Sequence, residues 1–473
     1  MLRLLCCLFP AIALLFPLSS VQAGESGSTT RIVIENVTVI PMDREGMISG
    51  QDVIVRSGRI EEIRPHGTGA PVAGDHRYDA SGGFLIPGLW DSHVHLTSVD
   101  HPGAPSDRVI SEEAKRRTVE QRLKALLARG ITSVRDPGMD VRWIPMASSF
   151  GQRPDLPHLR FAGPVIERPG SPWSNNVEAF VDSPAEAEEL IARLAASGVD
   201  FLKIYNRVPL EIFTQIAETA SQFDLPVAGH VPFNISTREA VAGGMTRIEH
   251  AYVNLFKDCT RAGNRAMVEV LNAWVAEGYD GRYRKFAELY RDRDADQCRE
   301  LYAFLGQRNV FVTATPQLDL PLKLTVGETE MAALSSGARV SCKRSLANQS
   351  DIQDSSTRAV MDALTDHFRE LREAGVLLVA GSDSPTDCMS YGPALIRTVQ
   401  LYGDLGLSNR EALASATINA AKMARQDDAG AIRSGARADL LLLGANPLED
   451  LTALRDVRAV MLRGQWVAAS LPE

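Results

Sequence analysis

The chain has no surplus of basic charge, little cysteine and no long apolar run beyond its start. Its 473 residues carry a formal net charge of -9, which argues against the basic surface expected of a nucleic-acid binder. Acidic balance otherwise serves mainly solubility. No Gly-x-Gly-x-x-Gly follows a strand-like run, so the fingerprint of a doubly wound dinucleotide-binding sheet is missing. Of six cysteines, Cys6 and Cys7 fall in the N-terminal apolar run. The other four, Cys259, Cys298, Cys342 and Cys388, contain no C-x-x-C pair, which argues against a cysteine zinc site.

What is present is ordinary for a soluble globular protein: 45% hydrophobic and 23% charged residues. The length allows one large barrel-type domain and a smaller one. The first residues read as a secretory signal, with Arg3 as a positive start, an apolar stretch over residues 4–18, and Val21-Gln22-Ala23 as small residues before a cut after Ala23. Residues 1–23 are therefore expected to be removed, leaving an exported protein, periplasmic or secreted, with no membrane segment. Export permits disulfides. Cys259 and Cys298 are the first candidate pair, because they flank one helical insertion.

Both ends of the remaining chain are β-rich. Residues 52–60 form a hairpin pattern with its turn at Ser57-Gly58, and residues 457–467 form another. The two ends, 24–82 and 424–473, are expected to build one small β-sandwich domain, since chain termini often lie close together. The middle, 83–423, alternates strand-like and helix-like runs, which predicts a parallel α/β architecture. Strands are expected at 84–95, 131–136, 158–162, 199–205, 225–230, 245–250, 309–313 and 376–383. Helices are expected at 111–129, ending at Gly130, and at 183–196, with Ser183 at the N-cap, Pro184 next and Glu186 at the third helical position. Eight strands with intervening helices fit a (β/α)8 barrel of the TIM type. A helical insertion at about 255–305 and a polar stretch at 328–356 interrupt it. Such excursions become lids or remain surface loops.

The chemistry gathers at strand ends. His93 and His95 sit at i and i+2 after an apolar run, and in a strand such residues share a face and can hold one ion. Imidazole is a preferred ligand for zinc and similar metals. Lys203, His230, His250 and Asp383 each lie at or near the end of another expected strand. Barrel strand ends converge on the face where catalytic residues of that fold sit. Each residue alone is better read as structural, and Asp383 alone could cap a helix; the joint pattern is what points to a metal centre.

Here the chain resembles the amidohydrolase superfamily of metal-dependent hydrolases, most closely its dipeptidase and prolidase-like branch. The resemblance rests on Ile86-Pro87-Gly88-Leu89-Trp90-Asp91-Ser92-His93-Val94-His95, on the Lys203 strand, on His230 and His250, on Gly381-Ser382-Asp383, and on the closing segment Ala438–Leu443 with Asn446-Pro447. It implies a pair of divalent ions, with zinc the expected metal. His93, His95 and Asp383 would hold one, His230 and His250 the other, and Lys203 would bridge them as a carbamate. Carboxylation turns a cation that cannot ligate into an anionic oxygen ligand, and the apolar neighbours Phe201, Leu202 and Ile204 favour the neutral amine it requires. A hydroxide bridging the ions would attack an amide carbonyl, with Asp383 orienting it, taking its proton and passing it to the leaving amine. Dipeptides or N-acyl amino acids are the expected small-molecule substrates.

Tyr205, Tyr252, Arg168 and Arg207 lie near these strand ends and are candidate substrate contacts, the arginines through a carboxylate. The loop after the third strand, Glu167-Arg168-Pro169-Gly170-Ser171-Pro172-Trp173-Ser174, lacks the histidine common in dipeptidase-like relatives, which puts a dipeptide substrate in doubt. Two other readings stand beside this one. A mononuclear deaminase or cyclic-amide hydrolase of the same superfamily is disfavoured by Lys203 and by the lack of a Glu just after His230. A metal-containing binding protein without catalysis is disfavoured by Asp383. A homo-oligomer is compatible with the sequence.

Overall fold

The computed structural model describes residues 31–98, 110–170, 177–251, 253–318, 326–348, 353–386 and 388–469. The expected signal, Tyr252 and Trp173 lie outside the described residues.

The strands Leu89–Asp91, Ile131–Asp136, His158–Phe161, Leu202–Ile204, Val227–Gly229, Met245–Glu249, Phe311–Thr313 and Leu377–Val379 form the barrel. All the ladders between them are parallel. Closure comes from the Ser92 N–H donating to the Ala380 carbonyl (3.1 Å) and the Asp383 N–H to the His93 carbonyl (2.7 Å). All eight expected strands are therefore present.

The third strand is broken. Gly163, at φ 72°, and Pro164 end the pairing of His158–Phe161 with Ile131–Asp136. The chain then resumes as Val165–Glu167, which pairs with Leu202–Ile204 on one side and Glu178–Phe180 on the other. A proline has no N–H to offer a ladder, so a kink is its tolerated place in a sheet.

The run expected as one strand over 84–95 is likewise two. Phe84–Pro87 pairs with Leu440–Leu443 and Ile32–Val39 in the sheet made by the chain ends. Gly88 is the hinge between the two layers. Its N–H donates to Asp439 (2.8 Å), while the next N–H donates to Gly130 inside the barrel (2.9 Å). A Cβ on Gly88 would lie 2.2 Å from Thr132 Oγ1, so only glycine lets the barrel wall pack there.

Among the described residues the terminal sheet has eight strands. Both expected hairpins are in it: Ile48–Arg56 with Arg59–Pro65, and Val457–Leu462 with Gln465–Ala469. Their turns place Ser57-Gly58 and Arg463-Gly464 at positive φ, the pattern of tight hairpin turns whose twist matches the strands. A bridge between Arg59 and Arg437 folds the sheet's far edge back. The sheet thereby encloses its own apolar core of Ile34, Val53, Leu85, Leu440 and neighbours.

The expected helices form as Glu112–Leu127 and Pro184–Ala196, with Ser111 and Ser183 accepting the N–H three residues on. Their apolar stripes, such as Val119, Leu123 and Leu126, bury against the barrel, which is the main source of helix stability in a folded domain. The insertion after the sixth strand is helical, over Val253–Phe256, Ala266–Arg291 and Ala295–Gln307, and the expected bridge Cys259–Cys298 closes it. The polar excursion is helical too, over Glu328–Ala333 and Ser336–Asn348. A second disulfide, Cys342–Cys388, ties it to the loop that follows Asp383.

Candidate active site

His93 and His95 follow the first barrel strand, on either side of Val94, which forms a parallel bridge with Ser384. Asp91, fully buried just before them, accepts the N–H groups of Ser382 (2.8 Å) and His93 (3.4 Å). This clamps the first strand end to the last. Gly381 permits the approach, since a Cβ there would meet His93 Cβ at 2.6 Å. Asp383 follows at φ 52°, and His250, ending the sixth strand, sits at φ 68°. Left-handed backbone at two non-glycine residues is strain of the kind that collects at functional sites.

The side chains meet. His93 Nε2 and His95 Nε2 lie 3.5 and 3.2 Å from Asp383 Oδ1, and donor atoms of these three residues all fall within 4.8 Å of one another. The ring of His250 is 4.9 Å from that of His93 and 4.8 Å from that of His230. Lys203, in the fourth strand, is 2% exposed, and its charge is felt at His93, His95, His230 and His250. The structure thus brings all six expected ligands to one place.

The partners of the imidazoles were not legible beforehand, and they are informative. His93 Nδ1 donates to Glu249 Oε2 (2.7 Å), His230 Nδ1 to Asn206 Oδ1 (2.8 Å) and His95 Nδ1 to the Gly138 carbonyl (3.4 Å). His250 Nδ1 is 2.6 Å from Thr315 Oγ1. Each ring therefore has Nδ1 engaged, which reserves Nε2 as a ligand atom. This is the arrangement by which proteins orient metal-binding histidines. Glu249 is itself held by Arg135 Nη1 (2.6 Å), which also donates to the Ser92 carbonyl (3.1 Å). Asp136 supports the first histidine segment by accepting the Leu96 N–H (2.9 Å) and the Gly138 N–H (3.0 Å).

The electrostatics suit a cation. Burial pushes the Asp383 carboxyl up, but His93, His95 and His250 outweigh it and hold it below the usual carboxylate range. Burial alone would also raise Glu249, yet Arg135 and His93 keep it ionised. Burial lowers the Lys203 ammonium to about 8, against a partial pull from Glu249 and Asp383. Burial, with Lys203 and the neighbouring rings, keeps His230 and His250 neutral, the form that ligates.

The expected substrate contacts divide. The Tyr205 ring lies 4.5 Å from that of His230, at the centre. Arg168 and Arg207 are at the exposed rim, Arg168 paired with Asp182 (2.9 Å) and Arg207 donating to the Gly170 carbonyl (2.5 Å). Glu167 binds their two loops together by accepting both backbone N–H groups, at 2.8 and 3.0 Å.

A closed parallel barrel with a buried cluster of histidines, carboxylates and one lysine at its strand ends defines a metal-site barrel of the hydrolase type. The profile of the amidohydrolase family matches residues 84–467, and the chain belongs to that family. Solved structures share the fold. A Xaa-Pro dipeptidase with bound methionine in the active site has a TM-score of 0.66 at 18% identity, covering 92% of this chain and 99% of that one. Molinate hydrolase has 0.65 at 17%, covering 93% and 94%, and the A. niger ochratoxinase 0.63 at 15%, covering 93% and 96%. In sequence, imidazolonepropionase of Salmonella heidelberg (strain SL476) is 39% identical over 69 residues, which is 14% of this chain and 17% of that relative's length.

Proposed function

We propose that the protein is an exported, metal-dependent hydrolase of amide bonds in small molecules, with dipeptides or N-acyl amino acids as its substrate class. The observation that carries this reading is the set of four imidazoles, each with Nδ1 occupied, gathered round Asp383 and a buried lysine. The donor set fits a pair of divalent ions, zinc by ligand type. His93, His95 and Asp383 would hold one ion and His230 and His250 the other. Lys203 would join them as a carbamate, for which a buried amine brought down to about 8 is suited. When bound, the ions supply an activated water and polarise the scissile carbonyl.

The chain's own groups do the rest. Asp383, ionised and 3.2 Å from His95 Nε2, accepts the water's proton and delivers it to the leaving nitrogen. The Tyr205 hydroxyl, pushed up by burial and by the nearby Asp383, stays protonated and donates to a substrate carbonyl or carboxylate. Arg168 and Arg207, on the two loops that Glu167 ties together, would meet a substrate carboxylate by exchanging their present partners; Tyr252 is kept as a further candidate contact.

The experiment is a library of dipeptides and N-acyl amino acids, assayed with the wild type and with Asp383→Asn. Wild-type turnover falls about a thousandfold or more in the variant, with the circular dichroism spectrum unchanged. A variant that turns over at near wild-type rate rejects the assigned role. A mononuclear hydrolase or deaminase is the second reading, favoured by the fact that His93, His95 and Asp383 alone already bring three donors within 4.8 Å. Metal content separates the two.

A further inference from the structure

The floor of a (β/α)8 barrel is ordinarily plugged by branched apolar side chains. Here a cavity of about 190 Å3 opens at the strand starts, lined by Arg135, Arg160, Arg247 and Arg425 with Phe201, Asp200 and Asp224 among their neighbours. It lies at the end of the barrel opposite the histidines: Asp200 and Phe201 precede the strand Leu202–Ile204, and Asp224 precedes Val227–Gly229.

The charges in it do not close. Arg160 pairs with Asp200 (2.5 Å), Arg425 with Asp224 (2.7 Å) and Arg135 with Glu249 (2.6 Å). Arg247, 5% exposed, donates to the Met423 carbonyl (2.9 and 2.7 Å) and to Thr246 Oγ1 (3.0 Å). Among the described residues it has no carboxylate partner. Arg135 adds a second opening: its guanidinium lies 3.8 Å from the Phe201 ring centre, and its buried Nη2 has no hydrogen-bond partner among the described residues. Burial, then the like charges of Arg135 and Arg425, push the Arg247 guanidinium down to about 9. A buried cation left uncompensated is costly. Guanidinium forks match the geometry of oxyanions. The mouth is open to solvent, since the side chains of Arg425 and Asp224 are 52% and 89% exposed.

We propose that this floor cavity is a second binding site, one that takes a small oxyanion of the inorganic phosphate type between Arg135, Arg247 and Arg425. The site is independent of the hydrolase reading, yet it touches the same network. Arg135 Nη1 holds Glu249, and Glu249 holds His93 Nδ1, so the Arg135 that would grip the anion is itself two hydrogen bonds from a candidate metal ligand.

The test is calorimetric titration of the purified protein with inorganic phosphate, comparing the wild type with Arg425→Ser, Arg247→Gln and Asp383→Asn. Arg425→Ser alters an exposed side chain, so it remains informative should Arg247→Gln fail to fold. A saturable phosphate site is expected that survives in Asp383→Asn, weakens about tenfold in Arg425→Ser, as loss of a charge-assisted contact implies, and vanishes in Arg247→Gln. Binding that is indifferent to Arg425→Ser, binding lost only in Asp383→Asn, or no saturable binding by the wild type would each overturn the proposal.

Discussion

Four of the nine histidines in the chain converge on Asp383, and each is fixed through Nδ1 by a different kind of partner: a carboxylate, an amide, a backbone carbonyl and a hydroxyl. The ligands themselves were legible in the sequence because barrel strand ends converge and because i and i+2 share a face. The partners were not, since Glu249, Asn206 and Thr315 belong to no motif and meet their histidines only through the fold. One signal was available. Arg247 and Glu249 alternate within the buried strand Met245–Glu249, and two inward charges in an apolar barrel demand partners. Glu249→Gln is predicted to lower metal affinity about 10- to 100-fold, because His93 loses the carboxylate that orients it. Metal content after dialysis against a weak chelator checks this, and undiminished retention would remove Glu249 from the account.

At the scale of elements, the terminal sheet is fastened to the barrel through Asp439. Its carboxylate lies 3.0 Å from His158 Nε2, on the third barrel strand, and accepts the Arg463 N–H (2.7 Å). Burial lowers the pKa of His158, against a pull from Asp439, and Arg437 Nη1 stands 3.1 Å from its Nδ1. Burial would raise Asp439, but His158 and Arg437 hold it low. Both folded values lie below the unfolded ones, so both groups lose stability as pH falls: His158 below its ordinary value of 6.5, Asp439 below 3.8. The urea midpoint should therefore drop between pH 7 and pH 5, and the drop should shrink in His158→Gln. An equal drop in the variant would assign the acid sensitivity elsewhere. The elements themselves were mostly readable from periodicity and caps. The two breaks were not. The apolar run through Gly88 continues unchanged as the chain passes from one sheet to the other, and the split third strand leaves pieces of four and three residues, too short for any pattern.

At the scale of the whole molecule, the two disulfides among the described residues and the N-terminal apolar stretch accord with the proposed export to an oxidising compartment. The first bridge was readable because its cysteines flank one insertion; the second joins a helix to the loop after Asp383, a proximity created only by barrel closure. Under the proposed export, the mature protein should begin at Gly24 and show no reactive thiol on denaturation without reductant. Reduction should then cost about 3–4 kcal/mol of stability per bridge, on loop length. Intact mass spectrometry with thiol labelling reads start and bridges together, and free thiols in the unreduced protein would contradict both the pairing and the destination.

Six side chains from five strand ends are proposed to hold a pair of cations. Elemental analysis of the purified, dialysed protein is the most direct measurement of that pair. The account predicts about two divalent ions per chain, falling when Lys203 is replaced by alanine. One ion or fewer in the wild type, with no change in Lys203→Ala, would contradict it.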